Sequence, residues 1–122
     1  MISKVCVAVL VLAGILGLSG QSAQADNLQW VVQSDHPNVV SLEFYSQDYD
    51  RAWPGGGEVY VLDDWNAQTY NLQCSSGELI CYGAWVRGDS SQYWGVGIDN
   101  SQYCDDCCYY CGERTESISL KP

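Results

Sequence analysis

Four cysteines lie within eight residues near the C-terminus, in the run Cys104-Asp-Asp-Cys107-Cys108-Tyr-Tyr-Cys111. Two more, Cys74 and Cys81, lie in the middle of the chain. Small domains gain only modest stability from burying a core, and exported ones often add disulfides. The cysteine spacing therefore limits the possible folds of this chain more than any other feature, because bonds or a metal at these residues would tie its C-terminal segment down.

The first 25 residues have the features of an export signal. A basic start at Lys4 precedes an apolar run over residues 5–18, and Ala23-Gln-Ala25 has the small-x-small form of a cleavage site. The run is shorter than the roughly 20 residues that span a bilayer. We therefore expect residues 1–25 to be a cleaved signal peptide and residues 26–122 to be a single β domain. The mature protein is expected to be secreted or periplasmic, with no membrane span.

Cleavage also changes the cysteine count and the charge. It removes Cys6 and leaves six cysteines, an even number, as a disulfide framework requires. It removes Lys4, so the formal net charge moves from −10 to −11. A surface of that sign repels nucleic acid and anionic lipid. We expect no nucleic-acid partner and an unknown protein or a glycan as ligand, and the sequence leaves the oligomeric state open.

Hydrophobic residues alternate with polar ones in several short segments. In residues 39–46, Val40, Leu42 and Phe44 point to one face of a predicted strand, and Tyr70, Leu72 and Cys74 do so in residues 68–74. Six or seven such strands predict an all-β fold, a small antiparallel sandwich or barrel stapled by disulfides. The expected strands are residues 27–32, 39–46, 58–62, 68–74, 79–86 and 93–98, with a possible edge strand at 117–120; residues 47–57 and 87–92 are expected to be a loop and a turn.

Residues 75–78, Ser-Ser-Gly-Glu, are typical of a hairpin turn. With Gly77 and Glu78 at its tip, Cys74 faces Cys81 directly. Opposed residues have Cβ atoms about 4.5–5.5 Å apart, close to what a disulfide needs. This register predicts a Cys74–Cys81 disulfide. The remaining cysteines, Cys104, Cys107, Cys108 and Cys111, would then form two bonds whose connectivity stays open.

Metal and redox chemistry are the alternatives for these cysteines. A Cys-x-x-Cys pair is half of a zinc site, and Cys74, Cys81, Cys104 and Cys107 could form a four-sulfur set. An oxidising compartment favours disulfides, so we expect no metal and no cofactor. A thiol oxidoreductase is disfavoured, since Asp105 and Asp106 oppose the thiolate that it requires.

Aromatic residues in polar loops suggest a binding site. Tyr45, Tyr49, Trp53 and Trp65 lie near or among acidic residues, and exposed rings stack on sugars or anchor protein interfaces. We predict these four as ligand-binding residues. For Trp53 the alternative is a ring that folds back over an edge of the core. Trp85 and Trp94, inside strands, are expected in the core.

The sequence offers little for catalysis. His36 is the only histidine and precedes Pro37, so we expect it in a solvated turn. The triple glycine at residues 55–57 lacks the lysine of a phosphate-binding loop and is typical of a turn. We expect a non-enzymatic, secreted binding module. The alternatives are a cysteine-ligated zinc domain and a small inhibitor or partner of a basic protein.

Three motifs occur in a specific order over most of residues 26–122. They are Cys74-x-x-Gly-Glu-x-Ile-Cys-Tyr-Gly-Ala-Trp-Val86, Tyr93-Trp-Gly-Val-Gly97 and Cys104-x-x-Cys-Cys-Tyr-x-Cys111, with Trp53-Pro-Gly-Gly56 upstream. This arrangement resembles an uncharacterised family of bacterial exported cysteine-rich domains. The resemblance implies that the six cysteines and the Tyr-Gly-Ala-Trp segment form one module, and it implies no activity.

Overall fold

The computed structural model describes residues 24–122, so the predicted signal peptide lies almost entirely outside the described residues. Residues 24–122 form an all-β fold, as predicted, with one 3-10 turn at Ile98–Asn100. No helix in this part of the chain is long and apolar enough to cross a membrane. The strands are β1 (Ala25–Ser34), β2 (Val40–Ser46), β3 (Ala52–Trp53), β4 (Tyr60–Leu62), β5 (Gln68–Ser75), β6 (Leu79–Val86), β7 (Asp89–Gly95), β8 (Cys108–Tyr110) and β9 (Ile118–Leu120).

These strands form two sheets. In the first sheet β1 lies in the centre, antiparallel to β5 and parallel to β9. In the second sheet β2 and β6 pair antiparallel; β3 and β4 pair with β2, while β7 and β8 pair with β6. Side chains from both sheets share one core. The fold is therefore a small, mostly antiparallel sandwich.

The alternation in the sequence decides which face of each strand is buried. Trp30 of β1 packs on Phe44 of β2 across the two sheets, with ring centroids 4.9 Å apart. Burying each large apolar side chain contributes about 1.5–3 kcal/mol. The fully buried apolar side chains of the two strands are those of Leu28, Trp30, Val32, Val40, Leu42 and Phe44.

Several strand ends differ from the prediction by one or two residues, and β7 ends at Gly95 instead of residue 98. Larger differences occur at three places. The predicted turn at residues 87–92 is limited to 87–88, and β7 begins at Asp89. Two short strands, β3 and β8, lie inside the predicted loop and the cysteine cluster. β3 has two residues and β8 has three, and each is a strand because it forms backbone hydrogen bonds with a longer neighbouring strand. Amino-acid composition does not predict such pairing.

The predicted hairpin at residues 75–78 and its Cys74–Cys81 disulfide are wrong. β5 belongs to the first sheet and β6 to the second, so this turn carries the chain between sheets. Cys74 bonds to Cys111, and Cys81 bonds to Cys108. The register argument applies to the latter pair, since Cys81 on β6 lies directly opposite Cys108 on β8 with Cα atoms 4.0 Å apart.

His36 is buried, although the sequence predicts a solvated turn. The turn after β1 packs against β7, where the His36 ring meets Trp94 edge-on at 5.7 Å and its Nε2 lies 3.3 Å from Gln92 Oε1. Its Nδ1 accepts the Asn38 backbone amide at 3.0 Å. Trp85 is buried as expected, and Trp94 packs against the core only in part.

Candidate ligand-binding cleft

A cleft of about 590 Å³ opens near the end of β2, on the face of the second sheet opposite the shared core. It is formed by β2, by the loop that contains β3 and by the 3-10 turn. The 3-10 turn is distant in sequence from β2 and the loop that follows it, so the complete cleft exists only in the folded chain. The lining residues are Glu43, Tyr45, Ser46, Tyr49, Asp50, Arg51, Ala52, Gly55, Gly56, Gly57, Asp99 and Asn100.

Tyr45 joins two of these segments. It is 7% exposed and packs in a second, smaller cluster with Cys81 and Cys107. Its hydroxyl donates to Glu43 Oε1 at 2.9 Å and accepts the Asp99 backbone amide at 2.9 Å. Tyr45 therefore holds the 3-10 turn against β2, and its buried ring is not available as a stacking surface.

Burial changes the acid–base behaviour of this pair. Burial raises the pKa of Glu43, and the nearby charge of Asp99 raises it further. The hydrogen bond from Tyr45 acts in the opposite direction but does not outweigh burial. Burial, followed by the hydrogen bond to Glu43, raises the pKa of the Tyr45 phenol far above its usual value. The phenol therefore stays protonated at neutral pH and continues to donate to Glu43.

Gly83 on β6 allows the 3-10 turn to approach the sheet. A Cβ atom at this position would overlap the Gly97 carbonyl oxygen and lie 2.9 Å from Tyr45 Cε2. Real Cβ atoms do not approach backbone this closely, so only glycine permits the observed contact.

An ion pair holds the loop side of the cleft. Arg51 Nε donates to Glu78 Oε2 at 3.0 Å, and Nη2 donates to Oε1, so the pair is bidentate. The Glu78 side chain is fully buried, whereas that of Arg51 is 42% exposed. Burial acts to raise the pKa of Glu78, but hydrogen bonds from Arg51, Ser46 and the Ser75 amide outweigh it and hold the pKa below its usual value. Glu78 is therefore ionised at neutral pH and orients Arg51.

Arg51 also contacts two of the predicted aromatic residues. Its guanidinium carbon lies 5.7 Å from the centre of the Tyr49 ring and 5.0 Å from that of Trp53. Tyr49 lines the cleft and is 54% exposed. Trp53 packs against the core, and its indole nitrogen donates to the Gln73 carbonyl of β5 at 3.2 Å. Trp53 thus covers an edge of the sandwich, which is the alternative role that the sequence suggests.

Trp65 lies apart from this site. It is 68% exposed and does not line the cleft, and its backbone carbonyl accepts a hydrogen bond from Gln33 of β1 at 2.8 Å. Of the four predicted binding residues, the structure brings Tyr45 and Tyr49 into the cleft. It places Trp53 against Arg51 at the edge of the site and Trp65 elsewhere.

The glycine-rich segment forms one rim of the cleft as a tight turn. The Trp53–Pro54 peptide is cis, and Gly55, Gly56 and Gly57 all have positive φ. The Glu58 amide donates to the Gly55 carbonyl at 3.1 Å. The turn that the composition predicts is therefore present, and without side chains it leaves this rim open.

Most cleft residues are absent from the sequence prediction, among them the polar side chains of Glu43, Arg51, Asp99 and Asn100. Asp99 and Asn100 adopt left-handed φ values of 57° and 56°, which Asp and Asn tolerate better than most residues. Their composition indicates a turn, but only tertiary contacts place this turn beside β2. Because Glu78 compensates the charge of Arg51, the carboxylates of Glu43, Asp50 and Asp99 leave the cleft acidic.

The cysteines of residues 24–122 form three disulfides, Cys74–Cys111, Cys81–Cys108 and Cys104–Cys107. The alternative metal set of Cys74, Cys81, Cys104 and Cys107 does not come together as proposed from the sequence, because Cys74 lies with Cys111 in the shared core. Instead the sulfurs of Cys81, Cys107 and Cys108 lie within 4.8 Å of one another.

No protein family, no curated protein and no solved structure matches this chain. The candidate site therefore rests on its own geometry.

Proposed function

We propose that this chain is an exported, disulfide-stabilised binding module whose cleft holds a glycan. The observation that carries the proposal is the exposed ring of Tyr49 beside the carboxylates of Glu43, Asp50 and Asp99. Aromatic rings pack on the apolar faces of sugars, and carboxylates accept hydrogen bonds from sugar hydroxyls. The cleft volume, near 590 Å³, lies within the range of about 300–1,000 Å³ typical of small-ligand sites.

The electrostatics support a neutral ligand. The sequence carries 15 acidic residues against five basic ones, and the cleft concentrates three carboxylates around one compensated arginine. Such a field repels phosphate and other polyanions. Nucleic acids and anionic glycans are therefore poor candidates, and neutral oligosaccharides are the best ones.

The proposed role is binding without catalysis and without a cofactor. His36 hydrogen-bonds to Asn38 and is not among the cleft residues, which supports a site without a histidine base. Incubating the protein with a bound oligosaccharide should release no new reducing ends. Release that disappears in a Glu43→Gln variant would overturn this part of the proposal, because Glu43 is the cleft carboxylate with a raised pKa.

Export is part of the same proposal. Three disulfides among residues 24–122 suit a protein that folds in an oxidising compartment. Together with the apolar run at residues 5–18 and the likeness to exported cysteine-rich domains, they favour a secreted or periplasmic protein. Removal of residues 1–25 would be visible as an intact mass for the exported protein that begins at Asp26.

Substitution of Tyr49 tests the site. A glycan array and titration calorimetry with the best oligosaccharide should show that Tyr49→Ala weakens binding by about 5- to 30-fold, since an anchoring aromatic contributes about 1–2 kcal/mol. The matched control is Tyr110→Ala, because Tyr110 is 53% exposed but lies on β8 and does not line the cleft. It should leave affinity unchanged.

Equal effects of the two tyrosine variants would refute the cleft as the binding site. Trp65→Ala adds a third comparison: loss of binding in this variant alone would move the site to the loop between β4 and β5. The melting temperatures of all three variants should be within a few degrees of the parent, so that affinity is compared between folded proteins.

A basic protein is the second candidate ligand, favoured by the formal net charge of −10. Attraction between charged surfaces weakens as salt screens it over a Debye length of about 10 Å at 0.1 M. Binding to a basic protein that falls steeply with salt, with no glycan binding at any salt concentration, would support this alternative.

A further inference from the structure

Two of the three disulfides lie in direct contact. The Cys107 sulfur is 3.8 Å from the Cys108 sulfur, although Cys107 is bonded to Cys104 and Cys108 to Cys81. The sulfurs of Cys81, Cys107 and Cys108 all lie within 4.8 Å of one another. Cys104 is bonded to Cys107 and adds a fourth sulfur at the edge of this group of three. We call the four cysteines the sulfur cluster: Cys81, Cys104, Cys107 and Cys108.

The spacing of the sulfur cluster suits a tetrahedral metal ion. Zinc binds thiolates at about 2.3 Å, which places neighbouring sulfurs of a regular tetrahedron about 3.8 Å apart. The non-bonded separation of Cys107 and Cys108 has this value. A four-sulfur site would require the two bonded pairs to separate to this spacing and the Cys104 sulfur to move toward the group of three.

The backbone would keep the cluster assembled without its disulfides. Cys81 and Cys108 are opposed residues of β6 and β8, and the Tyr82 amide donates to the Cys107 carbonyl at 3.1 Å. Beyond β8, Cys111 is fixed to Cys74 in the core. These contacts keep Cys81, Cys107 and Cys108 close together when the two clustered disulfides are reduced, and Cys104 remains near them because it precedes Cys107 in the same short turn.

Each clustered disulfide has one partly exposed cysteine, Cys104 or Cys108, whereas Cys107 and Cys81 are buried. Cys104 is partly exposed and lies in the surface turn before β8. Cys74 and Cys111 are both buried in the shared core. A reductant in solution therefore reaches Cys104–Cys107 first, and the thiolate freed on Cys107 lies beside the Cys81–Cys108 bond.

We propose that the sulfur cluster is a redox-gated metal site, in which four thiolates bind one Zn²⁺ after its two disulfides are reduced. Each disulfide takes two electrons and two protons from one molecule of a small dithiol, which is oxidised to its cyclic disulfide. Zn²⁺ then replaces the four thiol protons, which are released to solvent. This set differs from the alternative metal set that the sequence suggests, with Cys108 in the place of Cys74.

The flanking charges are consistent with a cation. Asp106 Oδ1 lies 3.5 Å from the Cys104 sulfur, and Asp105 is its neighbour. Carboxylates disfavour free thiolates, which argues against a thiol oxidoreductase. They attract a divalent cation, whose two positive charges offset part of the negative charge of the thiolates when it binds.

The experiment uses the folded protein with graded dithiothreitol, followed by anaerobic desalting and titration with Co²⁺ as a spectroscopic substitute for Zn²⁺. Four cysteines should become free for alkylation while Cys74–Cys111 stays bonded. The reduced protein should bind one Co²⁺ with thiolate charge-transfer and tetrahedral ligand-field absorption, and Zn²⁺ should displace it. The oxidised protein should show neither signal.

The control variant is Cys104→Ser/Cys107→Ser, which keeps the other two disulfides and should fold but lose the cobalt–thiolate absorption. Four free thiols without metal binding would overturn the proposal. Reduction of Cys74–Cys111 together with the cluster and loss of the fold would overturn it equally, and this outcome is read from the parent protein whether or not the variant folds.

Discussion

Glu78 carries a negative charge although its side chain is fully buried. Its carboxylate is fully buried and depends on Arg51, Ser46 and the Ser75 amide for hydrogen bonds. A buried charge is tolerated only when it is paired and hydrogen-bonded. The Arg51 side chain, by contrast, is partly exposed to water. Removing Arg51 therefore leaves a buried charge unpaired, whereas removing Glu78 leaves a charge that water can solvate.

Arg51→Ala should lower the free energy of unfolding by about 2–3 kcal/mol, because it leaves the buried Glu78 carboxylate without its cation. The control is Arg87→Ala, an exposed arginine outside the two salt bridges found in residues 24–122. It should change stability by less than about 0.5 kcal/mol. Urea denaturation measures both, and equal values would show that the ion pair has no net role.

Glu78 should also give stability a specific pH dependence. Its pKa in the folded state is lowered from 4.5, so its ionised form stabilises the fold. This contribution is complete above pH 4.5 and is lost as pH falls through the lowered value. The stability difference between the parent and Glu78→Gln should therefore be large at pH 7 and shrink below pH 4.5. A difference that is constant with pH would contradict this assignment.

At the scale of elements, β2 and β6 are the strands on which the site is built. Their inner face meets the first sheet, and their outer face carries Tyr45 and the turn at Ile98–Asn100. Gly83 lies on β6 at the point where this turn approaches most closely. Both faces of the second sheet are therefore covered near the cleft, which explains how Tyr45 is buried on the face opposite the core.

Gly83→Ala should destabilise the protein by about 3 kcal/mol, because its methyl group overlaps the backbone of Gly97. The control is Gly88→Ala in the turn between β6 and β7, where the added atom meets nothing within 4 Å but φ is +85°. Its strain should cost only about 1 kcal/mol. Denaturation curves distinguish the two, and a Gly83 variant no weaker than the control would show that the turn moves away easily.

At the scale of the whole molecule, the disulfides have different structural roles. Cys74–Cys111 joins β5 of the first sheet to the end of β8 in the second, over a separation of 37 residues. Cys81–Cys108 links neighbouring strands of one sheet, and Cys104–Cys107 closes a local turn with a separation of only 3. Only the first bond holds the two layers together.

Removing Cys74–Cys111 with paired alanines should cost about 4 kcal/mol, and removing Cys104–Cys107 in the same way about 2 kcal/mol, since a longer closed loop restricts the unfolded chain more. A domain of this size has roughly 5–15 kcal/mol of stability in total. The first variant should therefore melt at a much lower temperature than the second. The reverse order in thermal unfolding would show that the local turn, rather than the bond between layers, dominates.

Residue patterns alone predict the fold class and most strands of this protein. Alternation places Val40, Leu42 and Phe44 on the buried face because a strand turns successive side chains to opposite sides. The six cysteines of residues 26–122 likewise predict a disulfide framework. Both signals are local or compositional, so they do not depend on how the strands are arranged in space.

The binding site is only partly predictable in the same way. The acidic, aromatic composition at the end of β2 and in the loop after it points to Tyr45 and Tyr49, which do line the cleft. Nothing near Asp99 or Glu78 in the sequence indicates that these residues meet that loop. Their positions follow from packing between segments that are far apart in the chain.

The cysteines show both what the sequence predicts and what depends on the tertiary structure. The sequence by itself determined that six cysteines could staple a small β domain with alternating strands. Only the tertiary structure decided that Cys74 bonds to Cys111 and that the other two disulfides lie in contact with each other. The physical reason is the turn at residues 75–78: the same four residues can fold a strand back within one sheet or carry it to the other, and packing of the whole core selects between them.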